Sequence, residues 1–183
     1  MRGRHQRRPV HTGVRRTQPG GVDPGSDRSL RGRDSPGWLA DLTVAVDRAL
    51  QEHVLPVPGV VEVLNSLTIP YCVASNGRPA KLALTLGVSG LAKYFAGRMF
   101  TATEVAHGKP APDLFLLAAT RMGVTPARCV VVEDSTNGVA AGRAAGMRVL
   151  GYSGAGNPDA LTDADEIFSR MADLPGLLCH SGR

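Results

Sequence analysis

Three short segments of the chain contain the groups that phosphoryl chemistry needs: a hydroxyl, an ammonium and a pair of carboxylates. In chain order they are Ser75, which is followed by Asn76, then Lys109, and then Glu133 with Asp134. A phosphoryl group in transfer spreads negative charge over three oxygens, which a metal cation and an ammonium group stabilise electrostatically. The three segments together therefore predict a site that holds a phosphoryl group.

Two of the segments end apolar runs that are typical of buried strands. Ser75 directly follows the run 71–74, and Glu133 directly follows the run 130–132. In parallel sheets, ligands bind outside the carboxyl ends of the strands. Backbone N–H groups and the hydroxyl near Ser75 could therefore converge on a phosphate oxygen.

The carboxylate pair predicts a cation. Glu133 and Asp134 are adjacent, so their like charges repel and any desolvation adds to the cost. A divalent cation would remove this conflict, and carboxylate ligands completed by water suit Mg²⁺. Lys109, between a glycine and a proline, would add a positive charge near the same point.

Each segment also has a purely structural interpretation. Ser-Asn-Gly at 75–77 is an ordinary turn sequence, and Gly-Lys-Pro at 108–110 fits a surface loop. Glu-Asp-Ser at 133–135 fits a helix N-terminus, where Ser caps the helix and acidic residues favour the helix dipole. The combination of all three segments in this order favours the functional interpretation.

Alternating helices and strands follow from residue 38 onward and must position these residues. Apolar spacing and proline or glycine boundaries predict helices at 38–53, 59–67, 79–86, 112–122 and 137–145, and strands at 71–74, 97–102, 129–132 and 148–152. Repeated strand–helix–strand units predict an α/β fold with a parallel sheet covered by helices on both faces.

The basic charge of the chain belongs to its first 37 residues. They hold nine Arg and three Asp, a net charge of +6, whereas the whole chain carries +5. Residues 1–37 have no periodic apolar face, so their Arg/Gly/Pro-rich composition predicts a disordered tail. No aromatic residue is interleaved with the arginines for base stacking, which disfavours nucleic-acid binding.

Composition elsewhere points to one protein domain in a reducing compartment. No apolar run approaches the length of a membrane span. Cys72, Cys129 and Cys179 lack the CxxC spacing of a zinc or redox site, which predicts free thiols. We expect a cytoplasmic monomer without a membrane segment.

The three segments resemble the second, third and fourth motifs of the haloacid dehalogenase superfamily. The similar stretches are 73–77, 108–113 and 131–138, followed by 144–147. They are most similar to the beta-phosphoglucomutase-like phosphatases with a helical cap, a group that includes sugar-phosphate and 6-phosphogluconate phosphatases. The resemblance implies a Rossmann-like core at 58–183, with 38–57 as the remnant of a cap.

The resemblance also implies roles and a substrate class. Ser75 with Asn76 would bind the phosphoryl group of a small phosphorylated metabolite. Lys109 would neutralise phosphate and nucleophile, and Glu133 with Asp134 would ligate Mg²⁺. In the family, an Asp attacks phosphorus to form an aspartyl phosphate, and a second Asp two residues later acts as general acid and base.

The first motif of the family, a strand followed by Asp-x-Asp-Gly-Thr, has no counterpart in the chain. The first 47 residues contain five aspartates, and none of them follows an apolar strand. They are Asp23, Asp27, Asp34, Asp41 and Asp47. Since this motif ends the central strand of the family's sheet, we expect the strands near 71 and 129 either to close together or to leave backbone groups unpaired. Each buried unpaired group would cost about 1–3 kcal/mol.

Three hypotheses follow. The first is a Mg²⁺-dependent phosphatase by descent, truncated or misread at its start and of doubtful activity, since the Arg/Gly/Pro bias of 1–37 is typical of a frameshift in GC-rich DNA. The second is a noncatalytic phosphate- or Mg²⁺-binding protein. The third is an interaction module whose basic arm binds nucleic acid or an acidic partner.

Overall fold

A computed structural model describes residues 37–154, 156 and 158–179. The predictions of a disordered tail and of a nucleic-acid-binding arm fall on residues 1–36, outside this range, and stay predictions. Contacts divide the chain after Asp41 into two units. The first contributes only its last five residues to the description, and the second contains all the strands described below.

The described residues form six α-helices and five short strands joined by turns and 3-10 segments. The helices are α1 (Trp38–His53), α2 (Val60–Ser66), α3 (Pro79–Val88), α4 (Asp113–Met122), α5 (Thr136–Ala144) and α6 (Leu174–Cys179). The strands are β1 (Val73–Ser75), β2 (Met99–Thr101), β3 (Val130–Glu133), β4 (Arg148–Tyr152) and β5 (Glu166–Phe168). Mixed helices and parallel strands confirm the predicted α/β class.

The strands lie in two parallel sheets instead of one. β1 pairs with β2 in the first sheet, and β3, β4 and β5 pair in that order in the second. Within the described residues, no strand pairs with the second edge of β1 or with the second edge of β3. β1 and β3 therefore do not pair with each other. Closure of these two strands, the first of the two outcomes expected for a sheet without a first-motif strand, is not seen in the described residues.

The three-stranded sheet has apolar cores on both of its faces. Val149 and Leu150 are neighbours in β4, so their side chains point to opposite faces, yet both are 0% exposed. Val149 belongs to a cluster with residues of α4 and α5, whereas Leu150 packs with residues of α2, β5 and the segment that leads into α6. The expectation of helices on both faces is therefore met in this sheet.

Helix α1 has the predicted bounds but no buried residue. Apolar side chains of the predicted face, including Leu39 and Leu42, are 61% and 51% exposed. Apolar spacing thus predicts the helix correctly, although its apolar face is not covered. The assignment of 38–57 to a cap remnant stays a prediction.

Two further findings concern the cysteines and the length of the helices. Cys72, Cys129 and Cys179 are free thiols, and burial is the main cause that raises the pKa of Cys72 and of Cys129 above the ordinary value. Among the helices that the structure describes, none has the length and apolar character needed to span a membrane.

Candidate functional site

All five residues singled out in the sequence line one open pocket of about 360 Å³. The pocket lies where β1 and β3 end, because Ser75 is the last residue of β1 and Glu133 the last residue of β3. Asn76 and Asp134 follow these strand ends directly, and Lys109 comes from the loop before α4. The parallel direction of the strands therefore gathers residues that lie up to 59 positions apart in the chain.

The ammonium group of Lys109 is held from three directions. Its Nζ donates a hydrogen bond of 2.9 Å to the carbonyl oxygen of Ala74 and another to Oε1 of Glu133. It also lies 4.5 Å from the ring centre of Phe115. The Lys109 and Glu133 side chains are only 9% and 10% exposed, so this ion pair is well shielded from solvent. An ammonium has three N–H donors, which leaves one for a ligand.

The carboxylate of Glu133 is placed by the first turn of α5. Ser135 is the N-cap of this helix, and its Oγ accepts a hydrogen bond of 3.1 Å from the backbone N–H of Gly138. The same hydroxyl donates to Oε2 of Glu133 at 3.0 Å. The N-cap interpretation of this segment is therefore correct for Ser135, and the cap also orients a site residue.

Gly138 gives the Glu133 carboxylate its space. A Cβ on Gly138 would lie 1.9 Å from Glu133 Oε2, a distance at which atoms overlap. Gly138 and Ser135 are not among the residues that the sequence motifs predict for the site. Their spacing, with Ser two residues after the Glu and Gly three residues after the Ser, is the local pattern by which they could have been found.

Asn76 is bonded to the backbone of the lysine loop. Its Oδ1 accepts a hydrogen bond from the Lys109 N–H, and its Nδ2 donates one to the Lys109 carbonyl, both at 2.9 Å. The sequence suggested that Asn76 assists Ser75 in binding phosphate, and that role stays a prediction. The observed contacts of the amide are with Lys109.

The hydroxyl of Ser75 keeps a hydrogen to donate. Its Oγ accepts a hydrogen bond of 3.0 Å from the Gly77 N–H, which orients the side chain at the end of β1. Accepting this bond leaves the O–H of Ser75 available for an acceptor in the pocket.

Asp134 supplies one exposed carboxylate to the pocket. This residue is exposed on the pocket rim and forms no hydrogen bond or ion pair with another described residue. The described ranges contain no group of three or more His, Cys, Asp or Glu residues that could hold a metal ion. Mg²⁺ is commonly bound by one or two carboxylates, with water and substrate phosphate completing its shell. Asp134 could provide such a carboxylate, and the Glu133 carboxylate is paired with Lys109. That Glu133 and Asp134 ligate Mg²⁺ stays a prediction.

A protein of known activity is similar in sequence to much of the chain. Over 107 residues the chain is 44% identical to the fructose-1-phosphate phosphatase of Escherichia coli. The aligned region covers 57% of this chain and 56% of that protein. The chain therefore spans little more than half the length of this relative.

Two crystal structures superpose over most of the chain. A haloacid dehalogenase-like protein from Agrobacterium tumefaciens has a TM-score of 0.74 at 40% identity, covering 79% of this chain and 69% of its own. A hydrolase of the same family from Deinococcus radiodurans, with bound phosphate and sodium, has a TM-score of 0.71 at 33% identity, covering 81% and 69%.

The sequence model of the haloacid dehalogenase-like hydrolases matches residues 24–146, which is more than half of the 183 residues. The predicted resemblance is thereby confirmed over the segments that line the pocket. The chain belongs to the haloacid dehalogenase-like hydrolase family.

Proposed function

We propose that the pocket binds the phosphoryl group of a small phosphorylated metabolite together with Mg²⁺. The observation that carries this proposal is the shielded ammonium of Lys109, which lines one pocket with the Ser75 hydroxyl and the exposed Asp134 carboxylate. In this interpretation the chain contains the phosphate- and metal-binding part of a haloacid dehalogenase-type phosphatase.

Each residue has a distinct task in this proposal. Ser75 donates its O–H to one phosphoryl oxygen, and Lys109 directs its remaining N–H at another. Asp134 is the ligand for the cation, which when bound would neutralise charge on the phosphoryl oxygens. Glu133 compensates the charge of Lys109 and, through its bond with Ser135, keeps the ammonium at the mouth of the pocket.

The names of related proteins support the substrate class. The Escherichia coli relative is a fructose-1-phosphate phosphatase, and another relative, 29% identical over 133 residues, is a 6-phosphogluconate phosphatase. Both names describe phosphorylated sugar derivatives. We therefore extend the proposal to sugar phosphates as the metabolite class.

Replacing Lys109 by methionine should weaken the binding of inorganic phosphate at least tenfold. A hydrogen bond from a charged group contributes about 1.5–3 kcal/mol, and 1.4 kcal/mol corresponds to a factor of ten in affinity. Calorimetric titration of the chain with phosphate in the presence of Mg²⁺ measures the change. Lys81→Met is the matched control, because Lys81 is exposed on α3 and does not line the pocket.

Equal affinities for the wild type and Lys109→Met would contradict the proposal, as would a wild type that does not bind phosphate. A fold defect in the variant is recognised from its circular dichroism spectrum. If the spectrum changes, Ser75→Ala provides a second test, because it removes only the O–H donor at the end of β1.

A second candidate function is phosphate binding without turnover. It is favoured by the lining of the pocket, where the described residues supply only Glu133 and Asp134 as carboxylates. Glu133 is paired with Lys109 and Asp134 is assigned to the cation, so neither is available as a nucleophile. The first motif of the family, which would provide one, was not found in the sequence.

The chain alone should therefore show no Mg²⁺-dependent hydrolysis of a generic phosphomonoester such as p-nitrophenyl phosphate. Turnover should emerge when a segment with an apolar strand followed by Asp-x-Asp-Gly-Thr is added, because one edge of β1 and one edge of β3 have no strand partner among the described residues and can each pair with an added strand. Initial rates of the chain with and without the co-expressed segment test this. The control is the same segment with Asn in place of its first Asp.

Two results would count against this interpretation. Turnover by the chain alone that disappears in Asp134→Asn would show that a nucleophile is already present. A segment that binds the chain but gives equal rates with Asp and with Asn would show that the added strand does not complete this site.

A further inference from the structure

We infer that the side chain of Asn76 positions Lys109 and does not itself bind the phosphoryl group. This inference rests on the proposed function, because it assigns how the ammonium of that site is held in place. The family resemblance implies that Asn76 binds phosphate together with Ser75, and the inference gives its side chain a different role.

The hydrogen bonds of Asn76 join two distant parts of the chain. Its amide both accepts from the N–H and donates to the carbonyl of Lys109, which is 33 residues further on. With both ends of the amide engaged by one residue, the orientation of the side chain is set by the lysine loop. Asn76 in turn fixes the backbone of that loop to the end of β1.

Gly108 gives independent support for this pairing. A Cβ on Gly108 would lie 2.8 Å from Oδ1 of Asn76 and 3.1 Å from the Cβ of Ala102. Any larger residue at 108 would push the Asn76 amide away from the lysine loop. Glycine at position 108 therefore leaves space for the Asn76 amide to approach the lysine loop closely.

The two ends of Lys109 are then held separately. Asn76 holds its backbone, and the carbonyl oxygen of Ala74 with the carboxylate of Glu133 holds its Nζ. A lysine side chain has a long flexible stem, so the location of its ammonium depends on where the backbone begins. Releasing the backbone should therefore weaken phosphate binding through Lys109, without the loss of any direct contact between Asn76 and phosphate.

A double-mutant cycle separates positioning from direct binding. Phosphate affinity is measured by calorimetry, with Mg²⁺, for the wild type, Asn76→Ala, Lys109→Met and the double variant. We expect Asn76→Ala to weaken binding about tenfold, because without the two Asn76 hydrogen bonds only a fraction of the molecules keep the lysine loop in its binding position, and the apparent affinity falls by that fraction. In the Lys109→Met background the same change should alter affinity less than twofold.

The competing role makes a different prediction for the same cycle. Nδ2 of Asn76 has a second N–H, and if this group donated to phosphate directly, Asn76→Ala would weaken binding equally with and without Lys109. Equal losses would therefore overturn the inference. Asn65→Ala is the matched control, because Asn65 bonds to the Tyr94 hydroxyl outside the pocket.

Hydrogen exchange of the Lys109 amide gives a readout that needs no phosphate. This N–H donates to Asn76 Oδ1, so it should exchange at least tenfold faster in Asn76→Ala, as measured by NMR. Asn76→Asp keeps an acceptor and should restore part of the protection, whereas Gly108→Ala should lose protection with Asn76 still present.

An exchange rate of the Lys109 amide that is unchanged in both Asn76→Ala and Gly108→Ala would overturn the inference. If the wild type does not bind phosphate, the proposed function fails, but the exchange rates still decide whether Asn76 positions Lys109. The two failures are therefore distinguishable.

Discussion

Replacing Glu133 by glutamine should lower the free energy of unfolding by about 3 kcal/mol. The Lys109 and Glu133 side chains are only 9% and 10% exposed, and removing one partner of a buried ion pair leaves an uncompensated charge, which costs about 3–5 kcal/mol. We take the lower end because glutamine can still accept a hydrogen bond from Lys109. Urea denaturation followed by circular dichroism measures the change.

Glu166→Gln is the matched control. Glu166 also pairs with a cation, Arg148 on the neighbouring strand, but its side chain is 46% exposed, so its loss should cost less than about 1 kcal/mol. The double variant Lys109→Met/Glu133→Gln should recover part of the stability, because it leaves neither partner of the buried pair as an uncompensated charge. Equal destabilisation by Glu133→Gln and Glu166→Gln would contradict the shielded character of the Lys109 pair.

Replacing Gly138 by alanine should destabilise the domain by about 1–3 kcal/mol, the usual cost of overpacking. The added Cβ would overlap the Glu133 carboxylate, because its ideal position on Gly138 is 1.9 Å from Glu133 Oε2. The carboxylate must move, so its bonds to Lys109 and Ser135 should weaken together. Thermal or urea denaturation measures the stability, and calorimetry with phosphate measures the effect on the site.

Gly87→Ala provides the contrast, because Gly87 lies in α3 with nothing within 4 Å of an added Cβ. Alanine is a better helix former than glycine, so this substitution should stabilise the domain by about 0.5–1 kcal/mol. A Gly138→Ala variant as stable as Gly87→Ala, with unchanged phosphate affinity, would show that Glu133 does not need the space at Gly138.

Apolar runs and boundary residues predicted most elements of the fold closely. Helix α1 and strand β4 have the predicted bounds, and the other predicted elements differ by a few residues at their ends. Strand β5 and helix α6 were not predicted. Glu166–Phe168 has only three residues, too few for a periodic pattern, and its extended conformation is supported by pairing with β4.

The sequence left two alternatives for the strands near 71 and 129: they could pair with each other, or their facing edges could stay unpaired. The division into two sheets corresponds to the second. Local sequence indicates that each run favours a strand, but pairing between strands depends on which edges meet in space. In the described residues, β1 pairs with β2 and β3 with β4, while their other edges have no strand partner.

The residue types needed for phosphate and cation binding, and their places at strand ends, are readable from the chain because turns and apolar runs are local features. The partners of these residues are not, since Lys109 meets Glu133 across 24 residues and Asn76 across 33. Such contacts exist only after parallel strands have brought their carboxyl ends together. Folding therefore makes Glu133 the counter-ion of Lys109, leaves Asp134 exposed in the pocket, and turns Asn76 toward the lysine loop.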